Sequence, residues 1–370
     1  MSRRSRLNQA LLRLRPEHNW GTNNLVQVYR RLGRLPDSVP YIVRRAQLRP
    51  NDFSSNQAAA AALVLRRDGI AQARPYLQRA RDLAVTDSAK GNPWGLAWTQ
   101  LFSFHERWLQ GEMAGAVAEV DAAVQRIDLQ GGIQGDHLAL FAAWAYLTLG
   151  RLKTAEELFQ KIPDQGALGF RHAYRIAIAF VKKDDAALKN HAAVYFERPL
   201  PGLEALTAML LARAGLLSQA QRAIDLQGDR LSDSHRKITS GELALARGQN
   251  AQAALQLRGG LSLLQSGGSP EFFFGSESLA EALARQGNIK EAIQVLKEST
   301  QQKAGVYPTS GFFWLRNQWR LAQFHRDLGQ ETEALAIEAE LLKLLAHADA
   351  DHPIVAQLKR PGHERKRVGN

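Results

Sequence analysis

Glycine recurs along this chain at near-regular intervals: Gly33, Gly69, Gly111, Gly150, Gly215, Gly248, Gly287 and Gly329. The spacings run from 33 to 42 residues, apart from one of 65 between Gly150 and Gly215. That gap is about two periods, so one unit inside it has lost its glycine. A fixed period of this length marks a chain built from copies of one supersecondary unit, each packing on the next. It restricts the fold far more than composition does.

Two further columns accompany the glycine. Seven residues before it stand Ala62, Ala143, Ala208, Gly241, Ala280 and Ala322. Five residues after it stand Ala116, Ala155, Ala220, Ala253, Ala292 and Ala334. Small residues at two fixed offsets fit the crossing of two helices in a hairpin, where a missing side chain lets the backbones approach closely. The glycine between them ends the first helix, because it takes a left-handed cap conformation without steric cost. The unit at Gly69 has Arg74 in the alanine column, with Ala73 one place off. The unit over 170–198 offers Lys183 or Asp184 where the glycine belongs.

The pattern resembles the tetratricopeptide repeat, a helix–turn–helix family of 34-residue units. The clearest stretches are AAWAYLTLGRLKTAEELFQKIP (142–163) and LAEALARQGNIKEAIQVLKES (279–299). The stretch 25–52 adds the family's tyrosine, Tyr29, and its closing proline, Pro50. The resemblance covers roughly residues 7 to 358. It implies an all-α solenoid, a right-handed superhelix of about nine hairpins. The segments from Phe272 and from Gly311 look like the end of repeat modules attached to bacterial eukaryotic-like serine/threonine protein kinases. Similar modules follow winged-helix regulators and nucleotide cyclases. No glycine-rich phosphate loop, HRD-type loop or DFG-type triplet accompanies them here.

Composition agrees with a helical array. Ala, Leu, Gln, Arg and Glu dominate, alternating strand-like runs are absent, and no linker divides the chain. The breaks are short: GNP at 91–93, GGIQG at 131–135 and SGGSP at 266–270. Repeat arrays grow past the size of a single core because each unit packs only on its neighbours. Three segments are expected: 1–20 as a basic partial repeat or N-terminal cap helix, 21–358 as the array, and 359–370 as a basic disordered tail. The basic start reads as the second helix of a hairpin, which favours a truncated gene or an alternative start over a cap.

There are no cysteines, which excludes disulfides and thiolate metal sites. No apolar run reaches transmembrane length and the N-terminus lacks a secretion signal's apolar core, so the expectation is a cytoplasmic protein without membrane insertion. Charge sits at the ends. Residues 1–50 hold eleven arginines against Glu17 and Asp37, and residues 359–370 net +4, while the whole chain nets +12. The array between them is therefore close to neutral. Such ends suit weak docking to a polyanion rather than single-strand reading, since no aromatics interleave the arginines.

Catalytic fingerprints are missing: no GxSxG elbow, HExxH helix, GxxxxGK[ST] loop or GxGxxG turn. His347, Asp349, Asp351 and His352 are the nearest approach to a metal cluster, but they fall where a helix end needs capping groups. We expect no catalytic residue, metal or cofactor, and no small-molecule substrate. Phe272–Phe274 and Phe312–Trp314 read as core of the last hairpins.

In the tetratricopeptide family the first helix of each unit lines a concave groove. Projecting the 3.6 period back from each glycine puts Asn23, Gln27 and Arg30 in that groove. Trp98, His105 and Trp108 follow, then His137 and Trp144, then Glu242, Glu277 and Glu281, and last Arg316, Trp319, Gln323 and Arg326. The expected function is a non-catalytic scaffold holding a protein or peptide segment in the groove. The alternative is a sensor module of a bacterial signalling protein, a serine/threonine kinase or transcription regulator, separated from its output domain. A nucleic-acid binder would rest on the basic ends alone.

Overall fold

The computed structural model describes residues 10–15, 18–31, 35–64, 69–88, 93–127, 133–162, 168–197, 204–228, 231–264, 269–301 and 308–360. Among them there are helices and turns and no strand. Nine antiparallel pairs follow one another. They are Asn19–Arg31 with Val39–Leu48, Phe53–Val64 with Gly69–Ser88, and Pro93–Gln110 with Met113–Arg126. Then come Ile133–Thr148 with Leu152–Lys161, Leu168–Lys182 with Asp185–Glu197, and Glu204–Arg213 with Leu217–Asp225. The last three are Asp233–Ala246 with Asn250–Leu263, Pro270–Arg285 with Ile289–Thr300, and Pro308–Asp327 with Glu331–Leu344. A short helix, Pro353–Leu358, closes the order.

The glycines do the work their spacing predicts. Gly111, Gly150, Gly215, Gly248, Gly287 and Gly329 all have φ between 71° and 79°, or 83° at Gly287. Each turn carries a hydrogen bond from the residue after the glycine to a carbonyl five residues back, as in Glu112 N–H to Arg107 O at 2.9 Å and Arg151 N–H to Tyr146 O at 2.9 Å. That pairing satisfies carbonyls a helix end leaves open. In the unit without its glycine, Lys183 takes the same place with φ 56°. Asp184 N–H bonds Ala179 O at 2.9 Å, so the turn survives the loss. Gly33 lies outside the described residues. Gly69 begins its helix instead of ending the one before. Ala73 is buried there while Arg74 reaches out to Glu106, so this unit runs one residue out of register.

Both small columns sit at helix crossings. Ala116, Ala155, Ala220, Ala253, Ala292 and Ala334 are fully buried, as are Ala143, Ala280 and Ala322. At Gly241 a Cβ would lie 2.6 Å from Leu257 Cγ, so that crossing is too tight even for alanine without a shift.

The array then does something the period does not announce. The first helices of the last six pairs form a closed ring. Ile133–Thr148 reaches Leu168–Lys182 through Trp144 and Tyr174, whose ring centroids are 5.2 Å apart. Contact passes on through Glu204–Arg213, Asp233–Ala246 and Pro270–Arg285 to Pro308–Asp327, which packs back on Ile133–Thr148. At that seam Gly311 lies so close to Thr148 that a Cβ would stand 2.4 Å from its Cγ2. The loop after the last pair completes the closure: Asp349 N–H donates to Gly150 O at 3.1 Å, and the Asp349 carboxylate accepts from Lys153 N–H at 3.0 Å. Ala348 covers Gly150, where a Cβ would meet it at 2.5 Å. The first three pairs extend from this ring, with Pro93–Gln110 packed on Ile133–Thr148.

Candidate functional site

The centre of the ring is filled by aromatic rings from its own first helices. Phe274 and Phe313 are 5.5 Å apart, Phe180 and Phe274 5.8 Å, Trp144 and Phe313 6.0 Å. Trp108, from the pair preceding the ring, meets Trp314 edge-on at 5.5 Å. Edge-to-face pairing places the positive edge of one ring on the negative face of another, which favours this packing over stacked sandwiches.

Above the aromatic floor lies a polar rim. Arg316 forks onto the Glu277 carboxylate with bonds of 2.9 and 2.6 Å. Arg213 donates to Glu242 at 2.8 Å and to the Ser278 hydroxyl at 2.6 Å, with Glu277 at 3.8 Å. Arg320 pairs with Glu281 and donates to the Gln323 amide oxygen at 2.8 Å, and Arg285 holds the other Glu281 oxygen at 2.9 Å. Three of these arginines also cap rings: Arg213 stands 5.1 Å over Phe274, Arg316 5.2 Å over Phe180 and Arg320 4.9 Å over Phe324. Burial would raise the Glu277 carboxyl, but Arg316, Arg213 and Arg320 together hold it down to about 2. The two buried carboxylates, Glu242 and Glu277, are thus each paired with an arginine, the condition under which buried ions are tolerated.

The residues expected to line an open groove meet different fates. Trp98, His105, Trp108, Trp144, Glu242 and Glu277 are buried, which corrects their expected exposure. Ring closure accounts for Trp108 and Trp144, which meet Trp314 and Phe313 of the last pair, whereas Trp98 packs on Phe53 and Phe102, and Glu242 and Glu277 lie against Arg213 and Arg316. Burial also pushes His105 down to about 3, so it stays neutral. Glu281, Arg316 and Trp319 remain half-buried at the rim, and Gln323 is nearly covered beside them. Arg326 is turned away to a fork on Glu338 at 2.9 and 2.7 Å. Asn23 and His137 are exposed, with Asn23 accepting from Arg45 at 3.3 Å. The side chains of Gln27 and Arg30 lie outside the described residues.

Sequence reasoning missed Arg213, Arg285 and Arg320, which complete the rim. Arg213 and Arg285 stand two residues before their glycines, a place the groove projection did not count. The aromatic runs Phe272–Phe274 and Phe312–Trp314 are core, with Phe273, Phe274, Phe312, Phe313 and Trp314 buried. The His347–His352 segment serves as the latch of the ring: Asp351 pairs with Lys153 at 3.4 Å, and His352 is buried at the start of the final helix. Among the described residues no group of three potential ligands is placed to hold a metal ion, and no helix is long and apolar enough to cross a membrane. Of the basic start, Arg13, Arg15 and Arg44 are exposed and Arg45 is buried; Arg3, Arg4, Arg6 and Arg34 lie outside the described residues.

The fold and these turns define the class: an all-α, tetratricopeptide-like array of helical hairpins, closed on itself. Neither a family model nor a curated protein matches the sequence. Among solved structures, the crystal structure of yeast Tom70 is 12% identical with a TM-score of 0.48, covering 92% of this chain and 81% of that one. The Cut9-Hcn1 hetero-tetramer of the APC/C is 13% identical with a TM-score of 0.40, covering 93% and 76%. The TPR domain of P58(IPK) is 12% identical with a TM-score of 0.26, covering 92% and 96%. At these values the class rests on the chain's own turns and crossings.

Proposed function

We propose that this protein is a non-catalytic interaction scaffold that binds a protein or peptide segment at the rim of its closed ring. The observation supporting this reading is the rim itself. Trp319, Arg316 and Arg320 on Pro308–Asp327, with Glu281 on Pro270–Arg285, form one half-buried surface over a filled centre, edged by the exposed Arg285. Tryptophan and arginine are the residue types that dominate binding energy at protein interfaces, above all where neighbours already exclude water. The ion pairs hold the arginines in place before a partner arrives, which lowers the ordering cost of binding. The exposed Arg13, Arg15 and Arg44 add a second, salt-sensitive contact to polyanions.

The test is capture from the native cell followed by reconstitution. The immobilised chain is used to retain partners, which are identified by mass spectrometry and purified. Trp319→Ala and Arg285→Ala should each weaken the purified pair at least tenfold, with helicity unchanged by circular dichroism. A reconstituted partner that binds both variants as well as the parent overturns the rim as the site.

A further inference from the structure

We infer that a cleft on the second-helix side of the fifth pair is a binding site for a compact organic carboxylate. The cleft has a volume of about 270 Å³ and lies between Leu152–Lys161, Leu168–Lys182 and Asp185–Glu197. Ligand clefts begin at roughly 300 Å³, so this one suits a small molecule or the end of a peptide. It belongs to the one unit whose turn is carried by Lys183, and it does not share a residue with the ring rim.

The chemistry follows from which charges are already engaged. Lys182 pairs with Glu156 at 2.8 Å. Asp184 caps its helix by accepting from Ala187 N–H at 2.9 Å. Arg175 also lines the cleft, half-buried, and no hydrogen bond or ion pair to it is made among the described residues. Its burial lowers the guanidinium's affinity for its proton, and the nearby Glu156 charge only partly offsets this. A half-desolvated guanidinium with five donors and no acceptor is costly, and a planar oxyanion is its natural complement.

One unengaged positive charge matches one negative charge. Glu156 and Asp184 on the wall would repel the second charge of a phosphate dianion. Buried Ile178 and Ala179, with Ala187, give the floor an apolar patch for a short hydrocarbon body. Gln160 stands at the wall to take the ligand's remaining polar atoms. The occupant is therefore an amphiphilic monocarboxylate. It is supplied either as a free organic acid or as the terminal carboxylate of a peptide.

The experiment compares butyrate, butyramide, inorganic phosphate, and a short aliphatic peptide with a free or an amidated C-terminus, all at matched ionic strength. Binding is read by calorimetry and by the saturable rise of the thermal midpoint of the full chain. Butyrate or the free-acid peptide should bind at least tenfold more tightly than its own amide, and more tightly than phosphate. The tighter of the two acids identifies the source. Arg175→Gln should abolish the preference and leave the unliganded chain at least as stable as the parent, because it removes an uncompensated charge. Arg175→Lys should keep the charge and lose most of the affinity for want of the fork. Equal binding of acid and amide, phosphate binding best, or undiminished butyrate binding by Arg175→Gln overturns the site. So does a marked loss of stability in Arg175→Gln, since it would mean the guanidinium is held by the protein itself.

Discussion

Gly311→Ala separates a closed ring from an open array by the sign of its effect. Gly311 sits in the first turn of Pro308–Asp327, where the added Cβ would lie 2.4 Å from Thr148 Cγ2 and 2.5 Å from its Oγ1. That is about 1 Å inside the contact distance at which carbon atoms attract. In a helix facing solvent, Gly→Ala stabilises by up to about 1 kcal/mol. Across the seam, overpacking costs roughly 1–3 kcal/mol, so a net loss of about 1–2 kcal/mol is expected. Thr148→Ala removes both crowding atoms and leaves Cβ at 3.1 Å. In that background Gly311→Ala should be neutral or stabilising, a coupling of roughly 1–2 kcal/mol in a double-mutant cycle read by urea unfolding. If Gly311→Ala stabilises equally in both backgrounds, the two helices do not meet and the ring is open.

Lys183→Gly should stabilise the chain by about 1 kcal/mol, since a lysine at φ 56° carries a steric penalty glycine avoids; a loss in chemical denaturation would refute it. Ala155→Leu or Ala292→Leu should cost roughly 1–3 kcal/mol by overpacking, while Ala251→Leu, exposed on Asn250–Leu263, should be nearly silent; equal effects at both kinds of site would contradict the crossing geometry. Burial holds His105 at about 3 and His352 at about 4, both below the ordinary value of 6.5. The unfolded chain therefore takes up these protons first as pH falls. Stability is fully present above about pH 6.5 and falls by up to ~1.4 kcal/mol per pH unit per histidine toward pH 4. His352→Gln should flatten that slope in urea melts at pH 7.5, 6 and 5, and an unchanged slope would count against it.

The hairpins were legible because their signals are local. A left-handed turn asks for glycine, and a close crossing asks for alanine, whatever surrounds the hairpin. The closure was not legible by the same means. Trp108, Trp144 and Glu277 point inward in an open groove and in a closed ring alike, so phase alone gives them the same place. What separates the cases is a contact between Thr148 and Gly311, far apart in sequence. One signal was available in the helix Ile133–Thr148, whose run LALFAAWAYLT is apolar on every side. A helix apolar all round is a buried one, and an inward face left open to a groove does not supply that burial. The rim arginines were missed for a related reason. Arginine beside a turn reads as solvated until the facing helix brings Glu242, Glu277 and Glu281 to it.

Closure also changes how stability is shared. In an open array each hairpin is held only by the pair before and the pair after it, so stability is nearly a sum of neighbouring interfaces. Here the pair beginning at Ile133 and the pair beginning at Pro308 are neighbours as well. The entropic cost of bringing distant segments together grows only as the logarithm of the chain between them, about 0.6 kcal/mol per doubling for a flexible loop. The intervening pairs are already folded and curved, which lowers that cost further. Against it stand the Trp108–Trp314 and Trp144–Phe313 contacts, the Arg316–Glu277 fork and the Asp349 latch on Gly150 and Lys153. The inner face of the middle pairs is therefore core: a partner that needed Trp108 or Trp144 would first have to break the seam, whereas one that meets Trp319 and Arg285 at the rim would not.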